Sequence, residues 1–363
     1  MHRADAIAAP GRPKTHTAAP PVPEPAAAPL RHHGDSKLSA GLLDLTVDVS
    51  YLPRPEWLDR ALHDGIANSD TYPEARAAHV AAARRYGRDE SEILITAGAA
   101  EAFFLLARAR PWRHPVVVHP RFAEPDIALS AAGHNATHVL CRAEDHFALD
   151  PDAVPEDADL VVVDNPNNPT GRLHAAATLR TLCRPGRVVV VDETFMDFVP
   201  GEPQTLTSHW LPGLVVVRSL TKLWSIPGIR AGLVVGDPAV VADFRAQQPP
   251  WSVNTLALHA VVTTTGPQAE ADAEGRAALC VRQRRTLVDG LSELGLTVVE
   301  SNAPFVLTRL GSGARARLRE AGVAVRWTDT FPGLDDSWAR IAVREPAATR
   351  RLLTTLGLAA TWI

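Results

Sequence analysis

Six short aliphatic runs punctuate the first two thirds of the chain: Ile93–Thr96, Val116–Val118, Val161–Val163, Val188–Val191, Val215–Val217 and Leu233–Val235. They are apolar along their length rather than alternating with polar residues, the pattern of strands buried on both faces. Ala-, Leu- and Arg-rich segments of helical period separate most of them. Buried strands alternating with helices predict an α/β fold with a mostly parallel, doubly wound sheet.

After Val235 the pattern changes. A helix-prone, Ala-rich region runs from about Asp237 to Leu294, and a long helix there is expected to join the first domain to a second. Four further strands are expected, at Leu296–Val299, Phe305–Arg309, Val323–Arg326 and Ile341–Val343, with a helix before each of the last two. This half predicts a smaller α+β domain. The expected division is 51–250 for the large domain and 251–363 for the linker helix and small C-terminal domain. No repeat of solenoid period is present.

The 363 residues, 46% of them hydrophobic, can bury more core than one compact domain usually holds. Residues 1–30 are mostly Ala and Pro with scattered charges, a composition that cannot offset the entropy of ordering, and a disordered tail is expected. A net charge of −4 gives no footprint for nucleic acid. The densest basic stretch, Arg282, Arg284 and Arg285, reads as a solvated helix face. The three cysteines have neither metal nor redox spacing, and their odd number fits a reducing, cytoplasmic setting with ordinary thiols. No stretch is long and apolar enough for a membrane span or a signal peptide, so neither membrane nor nucleic acid is an expected partner.

Four segments carry candidate chemistry. In Ser219-Leu220-Thr221-Lys222-Leu223-Trp224-Ser225-Ile226-Pro227-Gly228-Ile229-Arg230, an amine follows a strand end among hydroxyls, with a guanidinium eight residues on. Such an amine can form a Schiff base with an aldehyde while the hydroxyls and guanidinium hold a phosphate. Asp192 closes the Val188–Val191 strand, where doubly wound sheets bind ligands. A carboxylate there can keep a pyridine nitrogen protonated, although a helix cap or a structural ion pair would read the same. Asp164-Asn165-Pro166-Asn167-Asn168-Pro169-Thr170-Gly171 sets a tight turn that presents an amide at a fixed place. Thr96-Ala97-Gly98-Ala99-Ala100 leads a strand into a helix, where small residues and free amides suit an anion and equally suit plain packing.

In this order the four segments resemble the class I/II (fold type I) aminotransferase superfamily, whose cofactor is pyridoxal 5′-phosphate. The resemblance covers His32 to the C-terminus. It implies a Schiff-base role for Lys222, a pyridinium partner in Asp192, a hydrogen bond from Asn168 to the cofactor's phenolic oxygen, and a phosphate cradle of Ser219, Arg230 and the amides of Ala99 and Ala100. Phe122 falls where the family stacks an aromatic on the ring. Tyr72 falls where it reaches the cofactor phosphate of a partner subunit, which implies a homodimer with shared active sites. Arg340 matches the arginine that grips the substrate carboxylate.

Within the superfamily the chain is most similar to the branch of histidinol-phosphate aminotransferase and threonine-phosphate decarboxylase, and especially to decarboxylase-like proteins of cobalamin biosynthesis. Phe195 stands where a tyrosine is common. His33-Gly34 resembles a decarboxylase N-terminal stretch, in an arm, 31–50, expected over the active site. Arg326, fourteen residues before Arg340, resembles the arginine for substrate phosphate. Two positions depart from the pattern: Asp48-Val49-Ser50-Tyr51 replaces an Asn-rich segment, and Pro125 replaces a tyrosine. The resemblance implies an enzyme acting at Cα of a small amino-acid substrate, most similar to a threonine-phosphate decarboxylase, with transamination of a phosphorylated or other amino acid, or a role in specialised metabolism, as the alternatives.

Overall fold

The computed structural model describes residues 41–311 and 313–360, with side chains to 357. The Ala/Pro-rich segment and His33 lie outside the described residues.

A short strand, β1 (Leu43–Leu45), is followed by α1 (Glu56–Ala67) and α2 (Arg76–Tyr86). Then strands and helices alternate: β2 (Ile93–Thr96), α3 (Gly98–Ala109), β3 (Pro115–His119), α4 (Glu124–Ala131), β4 (Thr137–Leu140), β5 (Leu160–Asp164), α5 (Ala176–Thr181) and β6 (Val188–Asp192). β7 (Leu214–Ser219) and β8 (Gly232–Gly236) complete a seven-stranded sheet in the order β2-β8-β7-β6-β5-β3-β4. Only β8 runs against its neighbours. All six aliphatic runs are strands of this sheet.

The central strands β5, β6 and β7 are buried at every residue, because helices cover both faces. On one side Phe103, Leu106 and Phe244 pack on Val162, Val190 and Val217; on the other Leu179, Leu182 and Leu206 pack on Val161, Val189 and Val216. β4 was not expected. It lies at the sheet edge, and of its four residues only Val139 is buried, so it carries no aliphatic run.

The region after Val235 is three helices: α6 (Pro238–Gln247), α7 (Thr255–Thr264) and α8 (Pro267–Glu293). The breaks fall at Pro249-Pro250 and at Gly266-Pro267, where missing amide donors and fixed φ prevent one helix from continuing. β9 (Thr297–Val298), β10 (Phe305–Arg309), α9 (Ala314–Glu320), β11 (Val323–Trp327), β12 (Trp338–Ala342) and α10 (Pro346–Ala360) follow. The expected helix before β12 is absent; the segment 328–337, with Pro332-Gly333 at its centre, is a loop. A five-stranded sheet runs β1-β11-β12-β10-β9, so the N-terminal strand joins the C-terminal half of the chain. Arg284 corrects the reading of a wholly solvated basic face: it is buried and donates to the carbonyl of Ala303 at 2.9 Å. Cys141 and Cys280 are buried, Cys183 is half-buried, and all three are free. Among the described residues no helix is long and apolar enough to cross a membrane.

One buried charge cluster ties the end of β7 to the loop after β6. Arg218 lies 3.0 Å from Glu193 and 2.8 Å from Glu202, and it also pairs with Asp197. Burial pushes Glu193 up to about 7 and Asp197 up to about 6, against the pull of Arg218. Arg218→Met leaves these carboxylates without their cation and is expected to cost about 3–5 kcal/mol in urea unfolding at pH 8. Carboxyls with raised folded-state pKa values bind protons more readily folded than unfolded. Folding is therefore favoured as pH falls through 7 and 6. The variant's deficit should accordingly shrink toward pH 5; a deficit that stays constant or grows there contradicts this assignment.

Candidate active site

The C-terminal ends of β2, β3, β5, β6 and β7 and the start of β8 meet at one edge of the large sheet, where a cavity of about 240 Å³ opens. Open α/β sheets bind ligands outside the carboxyl ends of their strands. The cavity is lined by Ala99, Ala100, Phe122, Asn168, Asp192, Phe195, Ser219, Lys222, Arg230, Arg326 and Arg340, among others. Among the described residues, every candidate side chain is therefore brought together except Tyr72. Tyr72 is 75% exposed and stacks on the exposed Trp251 with ring centroids 4.3 Å apart, away from this chain's own cavity.

Register fixes the floor. β5 and β6 pair in parallel with Asp164 opposite Asp192, so two carboxylates end neighbouring strands side by side. Arg121, two residues past β3, is their cation: Nη2 lies 2.6 Å from Asp164 and 3.6 Å from Asp192. Burial raises both carboxyls; Arg121 opposes the rise at each, and Asp192 reinforces it at Asp164. Asp192 also accepts hydrogen bonds from the Thr194 amide at 3.0 Å and the Thr194 hydroxyl at 2.6 Å. Two buried carboxylates facing one guanidinium leave room for a second cation. Arg121 has no recognisable role in the sequence pattern, and its place between Pro120 and Phe122 just past a buried strand is the one signal for it.

One wall is built by close backbone approach. Gly98 has φ +77°, and a Cβ there would lie 2.7 Å from Nη2 of Arg230. A Cβ on Gly232 would lie 2.7 Å from the carbonyl carbon of Gly98. The two glycines thus let the Arg230 guanidinium lie against the first turn of α3, where Ala99 and Ala100 present helix N-terminal amides. The hydroxyls of Ser219 and Thr221 are 2.9 Å apart on the same wall. This is a cradle for an anion.

Lys222 stands three residues past β7, with its ammonium 2.6 Å from Asp48 and 5.9 Å from the centre of the Phe195 ring. Phe195 is buried and packs edge-on against Phe305 at 5.0 Å. Arg340 donates to Asn168 Oδ1 at 2.7 Å, to the carbonyl of Thr46 at 2.8 Å and to Asp48 at 3.1 Å. Asp48 was noted in the sequence only as a departure, yet it bridges the candidate lysine and arginine. Burial raises its carboxyl, but Lys222 and Arg340 outweigh that and hold it far below the usual range. Arg326 and Arg340 are register partners on β11 and β12, so two guanidinium-bearing residues enter the cavity from the small sheet. Arg326 donates to Thr330 Oγ1 at 2.8 Å.

Residues 48–356 match the family model described as aminotransferase class I and II. A histidinol-phosphate aminotransferase of Mycobacterium bovis is 45% identical over 322 residues, 87% of this chain and 88% of that protein. A threonine-phosphate decarboxylase of Salmonella typhimurium is 32% identical over 330 residues, 87% and 90% of the two chains. Among solved structures, the histidinol-phosphate aminotransferase of Clostridium acetobutylicum superposes with TM-score 0.82 at 23% identity, covering 89% of this chain and all of that one. The L-threonine-O-3-phosphate decarboxylase of Porphyromonas gingivalis gives 0.76 at 26% identity, covering 87% and 99%. A family match along most of the chain, carried by a fold type I architecture and the residues gathered at its strand ends, makes this protein a member of the class I and II aminotransferases.

Proposed function

We propose that the chain binds pyridoxal phosphate in this cavity and uses it to decarboxylate an O-phosphorylated amino acid of the phosphothreonine type. The observation that carries the reading is the pairing of Arg326 with Arg340. Beyond the cradle around Arg230, the cavity offers two more guanidinium groups on adjacent strands. A substrate with both a carboxylate and a phosphate uses two such receptors, each suited to bidentate contact.

The residues fit the cofactor. Its phosphate matches the cradle of Arg230, Ser219 and the α3 amides, its aldehyde the Lys222 amine, and its protonated ring nitrogen the second cation that Asp192 and Asp164 can accommodate. Phe122 is available to a ring face, and Asn168 to the phenolic oxygen. When bound, the protonated ring acts as an electron sink for the bonds at the substrate's Cα. The chain decides which bond breaks. Arg340 holds the carboxylate and Arg326 the phosphate, and together they set rotation about the Cα–N bond. Where Arg340 and Arg326 present the carboxylate for cleavage, CO₂ would depart and the Lys222 ammonium would deliver a proton to Cα in its place. Where they present the Cα–H bond, the Lys222 amine would remove that proton instead, as transamination requires.

Transamination of histidinol phosphate is the second reading, and Asp48 favours it. That carboxylate already neutralises Arg340, and a substrate without a carboxylate leaves the pair undisturbed. The 45% identical relative carries that activity in its name. Under either reading the exposed Tyr72–Trp251 stack supports a homodimer in which Tyr72 reaches the partner's cofactor phosphate.

Purified protein supplied with pyridoxal phosphate should turn yellow. Lys222→Ala should lose that absorption band and at least the roughly 10²–10⁴-fold in rate that a positioned acid–base group supplies; a band that survives the substitution refutes the role of Lys222. Incubated with O-phosphothreonine, the enzyme should release CO₂ stoichiometrically with loss of substrate. Formation of a 2-oxo acid, or turnover of histidinol phosphate with 2-oxoglutarate alone, transfers the assignment to the second reading. Asp48→Asn removes a competitor for Arg340. It should lower KM for a carboxylate-bearing substrate by about tenfold, or ~1.4 kcal/mol, while leaving KM for histidinol phosphate unchanged.

A further inference from the structure

Outside the cavity, three side chains at the far edge of the large sheet face one another. β3 and β4 run parallel with Val117 opposite His138 and His119 opposite Leu140. Side chains alternate along strands, so His119 and His138 project from the same face as diagonal neighbours, with ring centroids 4.3 Å apart. Asp126, in the first turn of α4, points down between them. Its Oδ1 lies 2.9 Å from His138 Nε2 and its Oδ2 lies 3.3 Å from His119 Nε2. One donor atom from each residue lies within 4.8 Å of the others.

Hydrogen bonding leaves this cluster unsatisfied. His119 is 1% exposed; its Nδ1 has no hydrogen-bond partner, and its Nε2 meets Asp126 Oδ2 only in a long, poorly aligned contact at 3.3 Å. Buried polar atoms without partners are costly and uncommon. A pair of ring nitrogens and a carboxylate in this arrangement is instead a ligand set for a borderline divalent cation. A tetrahedron with arms of about 2.0–2.1 Å has edges of about 3.3 Å, the distance seen between His119 and Asp126. Arg121, the nearest cation along the chain, is already engaged by Asp164 and Asp192.

We propose that His119, Asp126 and His138 form a divalent transition-metal site, taking Zn²⁺ with water as the fourth ligand. The His138 side chain is 40% exposed, which gives the ion its entry and the water its place. The metal replaces the proton shared between His138 and Asp126 and gives the His119 ring a partner. It ties the exposed edge strand β4 to α4 and to the end of β3, two residues before Arg121 and three before Phe122. Its role is structural, and it is independent of the function proposed above.

The test uses the full-length, cofactor-loaded protein, freed of metal by chelation and desalting, with Zn²⁺ and Co²⁺ as probes. Wild type should bind one equivalent of Zn²⁺ that His138→Ala and Asp126→Asn lack or bind at least about 100-fold more weakly, the upper end of what losing even an outer-shell partner costs. Co²⁺ should give the intense visible bands of a four-coordinate ion in wild type only. Zn²⁺ should raise the melting temperature of wild type and leave that of His138→Ala, whose side chain is half-exposed, unmoved. The second histidine-independent variant, Asp126→Asn, preserves shape if the alanine variant fails to fold. Equal affinity and stoichiometry in wild type and both variants would place the ion elsewhere, for instance on the histidines of residues 1–40, and overturn the site. So would an absence of binding by wild type.

Discussion

Everything in the active site hangs on the register between two parallel strands. Because Asp164 pairs with Asp192 at the ends of β5 and β6, two carboxylates are forced together in a place almost wholly withdrawn from water. Burying like charges side by side is unfavourable unless cations answer them. One answer is Arg121, supplied from the turn after the neighbouring strand β3. It does not balance both. Burial raises both carboxyls, and a further cation at this floor would stabilise their charged form; the walls then determine which kind: an anion cradle at one end, an amine at the other. A protonated pyridine bearing a phosphate and an aldehyde meets all of these demands at once.

The small sheet contributes the opposite side of the cavity, and its position is coupled to the large sheet by polar contacts rather than by apolar packing alone. Arg340 on β12 donates to Asn168 in the turn after β5, and to Asp48 and the Thr46 carbonyl just past β1. Arg344 adds donations to the carbonyls of Val47 at 2.6 Å and Val49 at 3.1 Å. The N-terminal segment is thus pinned beneath the lysine by arginines from the last strand region of the chain. Sequence separation of nearly 300 residues is bridged at the one place where the chemistry would occur.

That separation explains what could be read in advance. The six aliphatic runs were legible because full burial on both faces leaves a local pattern that no other element produces over four or five residues. β4 was not, since an edge strand with exposed Thr137, His138 and Leu140 has no such pattern. The helix-prone region expected from Asp237 to Leu294 does hold a long helix, α8, but it is broken at Pro249-Pro250 and Gly266-Pro267, where local breakers override regional propensity. The convergence of Lys222, Asp192, Asn168 and Arg230 on one cavity was legible because each sits a fixed few residues from a strand end, so strand recognition placed them. Arg121 and Asp48 were not assigned, because their roles exist only across elements: Arg121 by reaching over to β5 and β6, Asp48 by lying between a residue 174 positions away and one 292 away.

Asp48 is also where the two proposed reactions part. In the absence of substrate it presents a carboxylate to Lys222 and Arg340, much as an amino-acid carboxylate would meet that arginine. A substrate carboxylate must displace it from Arg340, which costs that pair's attraction, whereas a substrate lacking the carboxylate leaves Asp48 3.1 Å from Arg340 and 2.6 Å from Lys222. The two proposed substrates therefore meet the same side chain differently, and the difference between them needs no larger rearrangement of the fold.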